Sequence, residues 1–361
     1  MFNRSNILLF PFSLLYSVII FIRNFLYDLK ILPVYEIPVH SICIGNLVMG
    51  GAGKTPLTEY IIRLLVREGF QPVLLSRGYG RTTRGFVEAT PESSAQDIGD
   101  EPLQIYKNCK VRVFVCENRK EGIKQILRQY PDTRIIILDD AFQHRSVQCG
   151  LNIIVNEFKL PFHKNFLLPF GSLREPVSSL KRADMIVISK TPDRITPIEI
   201  RTYSKDIPLL AYQNLFFSYI QYFPLYHYLF VEKKIYVEKY LNAYSVILIT
   251  GIANPEPVLT YLKEFAGQIH HFPFPDHHEF IPKEWEDISR FFEKIQNPNK
   301  IIVLTEKDAC RLNRKLLSDY IEKLPIFVLP IQIHFNGKEQ EFDQIILNYV
   351  RRNKLHHKKY T

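Results

Sequence analysis

Three sets of side chains in this chain have the types and spacing for chemistry. The first is the loop Gly45-Asn46-Leu47-Val48-Met49-Gly50-Gly51-Ala52-Gly53-Lys54-Thr55-Pro56. A glycine-dense turn ending in Gly-Lys-Thr lets backbone N–H groups close around phosphate oxygens, and the helix that follows adds positive potential. Lys54 then reaches the β- and γ-phosphates, and the Thr55 hydroxyl joins a Mg²⁺ shell. The strict form of this pattern has glycine where Val48 stands, and its nearest variant has lysine where Met49 stands.

The second set is acidic. Arg134-Ile135-Ile136-Ile137-Leu138-Asp139-Asp140 is an aliphatic run ending in two carboxylates, the form in which a buried strand presents Asp to a nucleotide-bound cation. Gln143, His144 and Arg145 follow it directly, where ligands bind in open α/β sheets. Gly99-Asp100-Glu101-Pro102 places two acids at a helix start, as a cap or as a base for a hydroxyl proton. Leu173-Arg174-Glu175-Pro176 joins a cation to an anion in a turn: Glu175 is either a further Mg²⁺ ligand or half of an ion pair. Arg77 and Arg119 are candidate phosphate contacts.

The third set lies far downstream, in Phe274-Pro275-Asp276-His277-His278. Adjacent histidines rarely share one ion, and no third ligand has suitable spacing, so an Asp–His pair moving protons is the simpler reading. Thr305-Glu306-Lys307-Asp308 resembles a base-reading motif, but the inserted Glu306 spoils its spacing.

Short apolar runs alternating with amphipathic stretches after Pro33 predict an α/β domain with a largely parallel sheet. Its strands are expected at Ser41–Ile44, Pro72–Ser76, Val111–Val115, Ile135–Leu138, Leu151–Val155 and Met185–Ser189. The organisation reads as a hydrophobic helix over 1–32, a nucleotide-binding domain over 33–210 and an aromatic-rich extended linker over 211–244. A smaller α/β domain over 245–335 closes on the site, and a basic segment occupies 336–361.

Five scattered cysteines, odd in number and without C-x-x-C spacing, argue for reduced thiols and against a zinc site. The net charge of +9 is partly in the tail from Arg351, which suits anionic lipid; no nucleic-acid module accompanies it. Ile7 to Ile22 lacks charge and is bracketed by Arg4 and Arg23. As a helix it covers roughly 24 Å, less than a ~30 Å hydrocarbon core, which suits an anchor lying in the interface or crossing obliquely.

Taken together, these blocks, with Ser76-Arg77-Gly78-Tyr79-Gly80 and Thr250-Gly251-Ile252-Ala253-Asn254-Pro255, resemble the tetraacyldisaccharide 4′-kinase family of lipid A biosynthesis along nearly the whole chain. That family's phosphate loop also lacks the first glycine, which matches Val48. The resemblance implies a P-loop NTPase-type fold and transfer of the ATP γ-phosphate to the 4′-hydroxyl of a tetraacylated disaccharide 1-phosphate, giving lipid IVA. It implies Asp100 as catalytic base, His277 as its partner and Lys54 as the phosphate contact. Nucleotide contacts fall to Val48, Met49, Gly50, Gly51, Ala52, Gly53, Lys54, Thr55, Arg119 and Gln143. The metal falls to Thr55, Asp139, Asp140 and Glu175. It further implies a monomer on the cytoplasmic face of the bacterial inner membrane, with a glycolipid substrate and no nucleic-acid partner. The competing class, a membrane-associated partitioning or targeting ATPase, uses lysine where this chain has Met49.

Overall fold

The computed structural model describes residues 8–162 and 165–352; the start of the expected anchor, 1–7, and the end of the basic tail, 353–361, lie outside them. Among the described residues the aliphatic runs assemble one nine-stranded sheet. Its order is Ile331–Phe335, Asn214–Tyr222, Met185–Ser189, Leu151–Glu157, His40–Gly45, Ile135–Asp139, Pro72–Ser76, Val113–Val115, Val87–Glu88. The two edge strands are antiparallel to their neighbours, and every inner pairing is parallel.

A parallel sheet is covered on both faces, so its strands must be apolar on both faces. Ile135–Asp139 shows how: Ile135 and Ile137 join the core beneath the helix Lys54–Arg67, while Ile136 and Leu138 join the core beneath Arg119–Gln129. The helix Lys54–Arg67 turns Leu57, Ile61, Ile62, Leu64 and Leu65 inward at helical spacing. Both helices start at the carboxyl ends of strands, which gathers the polar motifs on one rim.

A second sheet has the order Lys234–Ile235, Leu225–His227, Ile326–Leu329, Lys300–Thr305, Ser245–Thr250, Gln268–Pro273. Its last four strands are parallel. The helix Pro282–Lys294 covers one face with Trp285 and Ile288; Glu256–Phe265 covers the other with Val258 and Leu262.

The aromatic segment expected as an extended linker over 211–244 supplies strands to both sheets. Asn214–Tyr222 is a strand inside the large sheet, and Leu225–His227 belongs to the small one. Its rings are core: Phe216 packs edge-on against Phe335 and Phe342, at 5.9 and 5.2 Å. The described part of the 336–361 segment, up to residue 352, is more than a basic end. The chain crosses back to the large sheet at Ile331–Phe335, and the helix Glu339–Arg351 buries Phe342, Ile346, Leu347 and Val350 against the first domain. Two adjacent antiparallel strands therefore carry the chain between the domains.

The N-terminal helix Phe10–Asp28 is long and apolar enough to cross a membrane. It leaves Phe12, Leu15, Val18, Ile19, Phe21 and Ile22 exposed and docks only one stripe. From that stripe Ser13 Oγ donates to the Leu167 carbonyl (2.7 Å), Tyr16 to Arg174 O (2.8 Å) and Arg23 to Gln143 O (2.5 Å). A helix with a polar docking stripe and an apolar remainder offers the remainder to a nonpolar medium.

Candidate active site

The phosphate loop leaves the central strand His40–Gly45 and enters the helix at Lys54. Gly53 sits at φ +84° as the residue before the helix, a conformation that β-carbons resist. Met49 N–H donates to Ser172 O at 2.7 Å, Arg174 N–H donates to Leu47 O at 2.6 Å, and Val48 bridges Leu173 as an antiparallel pair. This explains the residue that departs from the strict pattern. Position 48 is extended, and its side chain is buried in the core, so valine serves where glycine would only loosen the loop. Met49, by contrast, is half exposed. Ser189 Oγ fastens the far side by donating to Ala52 O at 2.6 Å.

Lys54 is buried with its ammonium 3.7 Å from Asp140, which also receives two 2.9 Å hydrogen bonds from Arg174. Burial works to raise the Asp140 carboxyl, but Lys54 and Arg174 outweigh it and hold it below the usual range. Asp139 is the opposite case. It is fully buried, and burial together with the nearby Glu101 and Asp140 carboxylates pushes it up to about 7. Ser76 Oγ lies 3.3 Å from its Oδ2, while Oδ1 accepts no hydrogen bond from the protein. A buried carboxylate oxygen without a donor among the described residues, at the end of the strand paired with His40–Gly45, fits a cation of the Mg²⁺ type, which takes one or two carboxylates plus phosphate oxygens. Among the described residues no cluster of three or more His, Cys, Asp or Glu has metal-binding geometry.

Three expected site residues have protein partners in this structure. Glu175, expected at the metal, is fully buried in an ion pair with Arg182, and Arg23 lies 3.7 Å away. Arg119, expected at the nucleotide, is 1% exposed, and its guanidinium donates to the Cys116 and Asp139 carbonyls at 2.6 and 3.1 Å. It braces the backbone beneath Asp139. Gln143 donates to Asn46 O at 2.8 Å and so fixes the entry of the phosphate loop. His144 is driven down to about 4 by burial and by Arg119 and Arg77, so its imidazole is neutral near pH 7.

The second domain meets the first across the helices Asp100–Cys109 and Glu306–Arg311. Gly99, at φ +90°, would put a β-carbon 2.8 Å from the Tyr79 carbonyl. Glycine there lets Asp100 start its helix against the Ser76–Gly80 turn. His277 Nδ1 is 2.6 Å from Asp100 Oδ2, although the two are separated by 177 residues in sequence. His277 itself has φ +62°, a conformation stored at sites where surrounding structure over-determines the backbone. Arg311 also reaches Asp100, with Nε at 2.8 Å. Sequence motifs alone do not single out this arginine. Its signal is the spoiled motif: Thr305 caps the helix by accepting from Asp308 N–H (3.2 Å), and Asp308 then receives Gly251 N–H (3.0 Å) and Arg311 (3.1 Å). The block works as a bracket for Arg311.

A lysine-bearing phosphate loop, a buried carboxylate at the neighbouring strand end and a second domain that reaches a carboxylate on the rim define a P-loop phosphotransferase. The family model for tetraacyldisaccharide-1-P 4′-kinase matches residues 5–351. The tetraacyldisaccharide 4′-kinase of Bacteroides thetaiotaomicron is 40% identical over 357 residues, covering 96% of this chain and 93% of that one. That of Flavobacterium psychrophilum is 41% identical over 353 residues, covering 95% and 96%. A crystal structure of LpxK from Aquifex aeolicus in complex with ATP superposes with a TM-score of 0.73 at 27% identity, covering 96% of this chain and 99% of that one. The chain belongs to the tetraacyldisaccharide 4′-kinase family.

Proposed function

We propose that the chain transfers the γ-phosphate of ATP to the 4′-hydroxyl of a tetraacyldisaccharide 1-phosphate, with Asp100 as the base. The observation that carries this reading is the 2.6 Å contact between Asp100 and His277, made on the same rim as the phosphate loop. A sugar hydroxyl is a weak acid. It needs a proton acceptor held in line with the phosphate it attacks, and closure of two domains supplies that alignment. Asp100 accepts the proton at a carboxylate oxygen, while His277 and Arg311 orient that carboxylate from the second domain. Lys54 holds the transferring phosphate. Asp139, with Thr55, would hold Mg²⁺, whose charge neutralises that of the phosphates when bound. Glu101 lies close enough to raise Asp139, so its charge faces the same place.

The reading extends to location. The helix Phe10–Asp28 anchors a monomer at the cytoplasmic face of the inner membrane, its exposed apolar side in lipid, so that the acceptor is met at the membrane surface. The test incubates purified protein with γ-labelled ATP, Mg²⁺ and the tetraacyldisaccharide 1-phosphate. Label is expected in the lipid. Its absence, while a verified family member succeeds in parallel, rejects the reading.

A further inference from the structure

We propose that the N-terminal helix is a structural part of the nucleotide site, with Arg23 and Glu175 as positioning residues that couple its seating to the phosphate loop. The inference rests on the chain being a nucleotide-dependent phosphotransferase, not on the identity of its acceptor.

The connection is short and continuous. The loop over 165–175 supplies the backbone on which half of the phosphate loop is built: Ser172 O receives Met49 N–H, Leu173 pairs with Val48, and Arg174 N–H goes to Leu47 O. The N-terminal helix holds this same loop from the outside, through Ser13 on Leu167 O and Tyr16 on Arg174 O. Phe10 adds an edge-on contact to Phe170, with ring centroids 5.5 Å apart.

Glu175 closes the loop. A fully buried carboxylate is costly unless paired, and this one has Arg182 on one oxygen. Its other oxygen, Oε1, accepts no hydrogen bond among the described residues and faces Arg23 at 3.7 Å. Arg23 also donates to the Gln143 carbonyl, and the Gln143 side chain donates to Asn46 O at the start of the phosphate loop. One arginine of the helix therefore touches both supports of the loop, the 165–175 segment through Glu175 and the 143 turn through its carbonyl. Arg174 carries the effect inward, since its guanidinium shares Asp140 with Lys54. If the helix is displaced, Oε1 loses its cation, and the strand-like pairing of residues 47–49 loses its backing.

The experiment measures ATP affinity with a fluorescent ATP analogue on the full chain in detergent, without lipid acceptor. The variants are Arg23→Met, Arg23→Lys, Glu175→Gln and the double variant Arg23→Met/Glu175→Gln. Arg23→Met and Glu175→Gln are each expected to weaken binding about 5- to 20-fold, with the double variant no weaker than the worse single one. Arg23→Lys is expected to recover most of the loss. Amide exchange is expected to rise in 46–53 and 165–175 and to stay unchanged in 72–76. Unchanged affinity and exchange in Arg23→Met overturn the proposal. So does a Glu175→Gln effect that additional Mg²⁺ removes, because that is the behaviour of a metal ligand. If Glu175→Gln does not fold, the Met and Lys variants of Arg23 decide alone. Because acceptor lipid is absent throughout, failure here is separate from failure of the lipid-kinase reading.

Discussion

The donor and acceptor sides of the site are built by opposite means. On the donor side, Lys54 at the start of its helix and Asp139 and Asp140 at a strand end are buried or half-buried, and the cations that meet Asp140 come from the same domain. On the acceptor side, Asp100 belongs to the first domain while His277 and Arg311 come from the second, and His277 is 39% exposed in its side chain. One region is set when the first domain folds. The other exists only when two domains are correctly placed. Nucleotide binding and phosphate transfer should therefore separate under mutation.

The largest separation is expected at Asp100. Asp100→Asn keeps the size and removes the proton acceptor, so kcat should fall about 10²- to 10⁴-fold while ATP affinity stays within about twofold. Lys54→Met should do the reverse on the donor side, weakening ATP about 10- to 100-fold through loss of a charge-assisted contact worth roughly 1.5–3 kcal/mol. Steady-state kinetics with ATP titration, alongside direct nucleotide binding, read both. A loss of ATP affinity in Asp100→Asn equal to that in Lys54→Met would merge the two regions into one.

Arg311 sharpens the comparison at lower amplitude. Arg311→Met leaves Asp100 and its helix intact but removes the 2.8 Å contact from the second domain. Turnover should fall about tenfold at saturating ATP, by loss of one charged hydrogen bond to the base. ATP affinity should stay within about twofold, because Arg311 meets Asp100 and not the phosphate loop. A loss of ATP affinity as large as the loss of turnover would place the effect of Arg311 on the donor side instead.

How much of this is legible depends on sequence distance. The phosphate loop and Asp139-Asp140 are contiguous motifs at strand ends, so residue order alone exposes them. The parallel sheet is legible for the same reason, since each buried strand is an unbroken aliphatic run. Residues whose partners are remote in sequence are less legible. Glu175 reads as a metal ligand or as half of an ion pair, and the fold brings Arg182 and Arg23 to it. Arg119 reads as a candidate phosphate contact, and only the fold brings its guanidinium to the Asp139 carbonyl. The aromatic run over 211–244 resembles a linker because it serves two sheets in succession. Asp100 and His277 are linked by no local pattern across 177 residues, and only family resemblance joins them.

The smallest effect on turnover is expected at the seam behind these residues, where it tests whether the two-domain side carries its own pH sensitivity. Glu306, on the helix that presents Arg311, is buried against Glu59 of the phosphate-loop helix, and Asn108 bridges them at 3.2 and 3.1 Å. Gln104 and Arg63 also meet Glu59, at 2.9 and 3.0 Å, and Ile331 N–H meets Glu306 at 3.1 Å on the strand that crosses between domains. Burial, and then the charge of Glu59, push Glu306 up from 4.5 to about 7. The folded state therefore holds a proton that the unfolded chain has released. Its stabilising effect is complete below about 4.5 and is lost as pH rises through about 7. Glu306→Gln fixes the neutral form. Wild type should lose roughly 1–3 kcal/mol between pH 5 and pH 8 that the variant keeps, since a tenfold difference in proton affinity is worth about 1.4 kcal/mol. Urea midpoints at the two pH values measure this, and turnover at pH 7 should change less than about twofold, since Glu306 touches neither Asp100 nor the phosphate loop. Parallel decline of wild type and variant would show that the seam does not titrate.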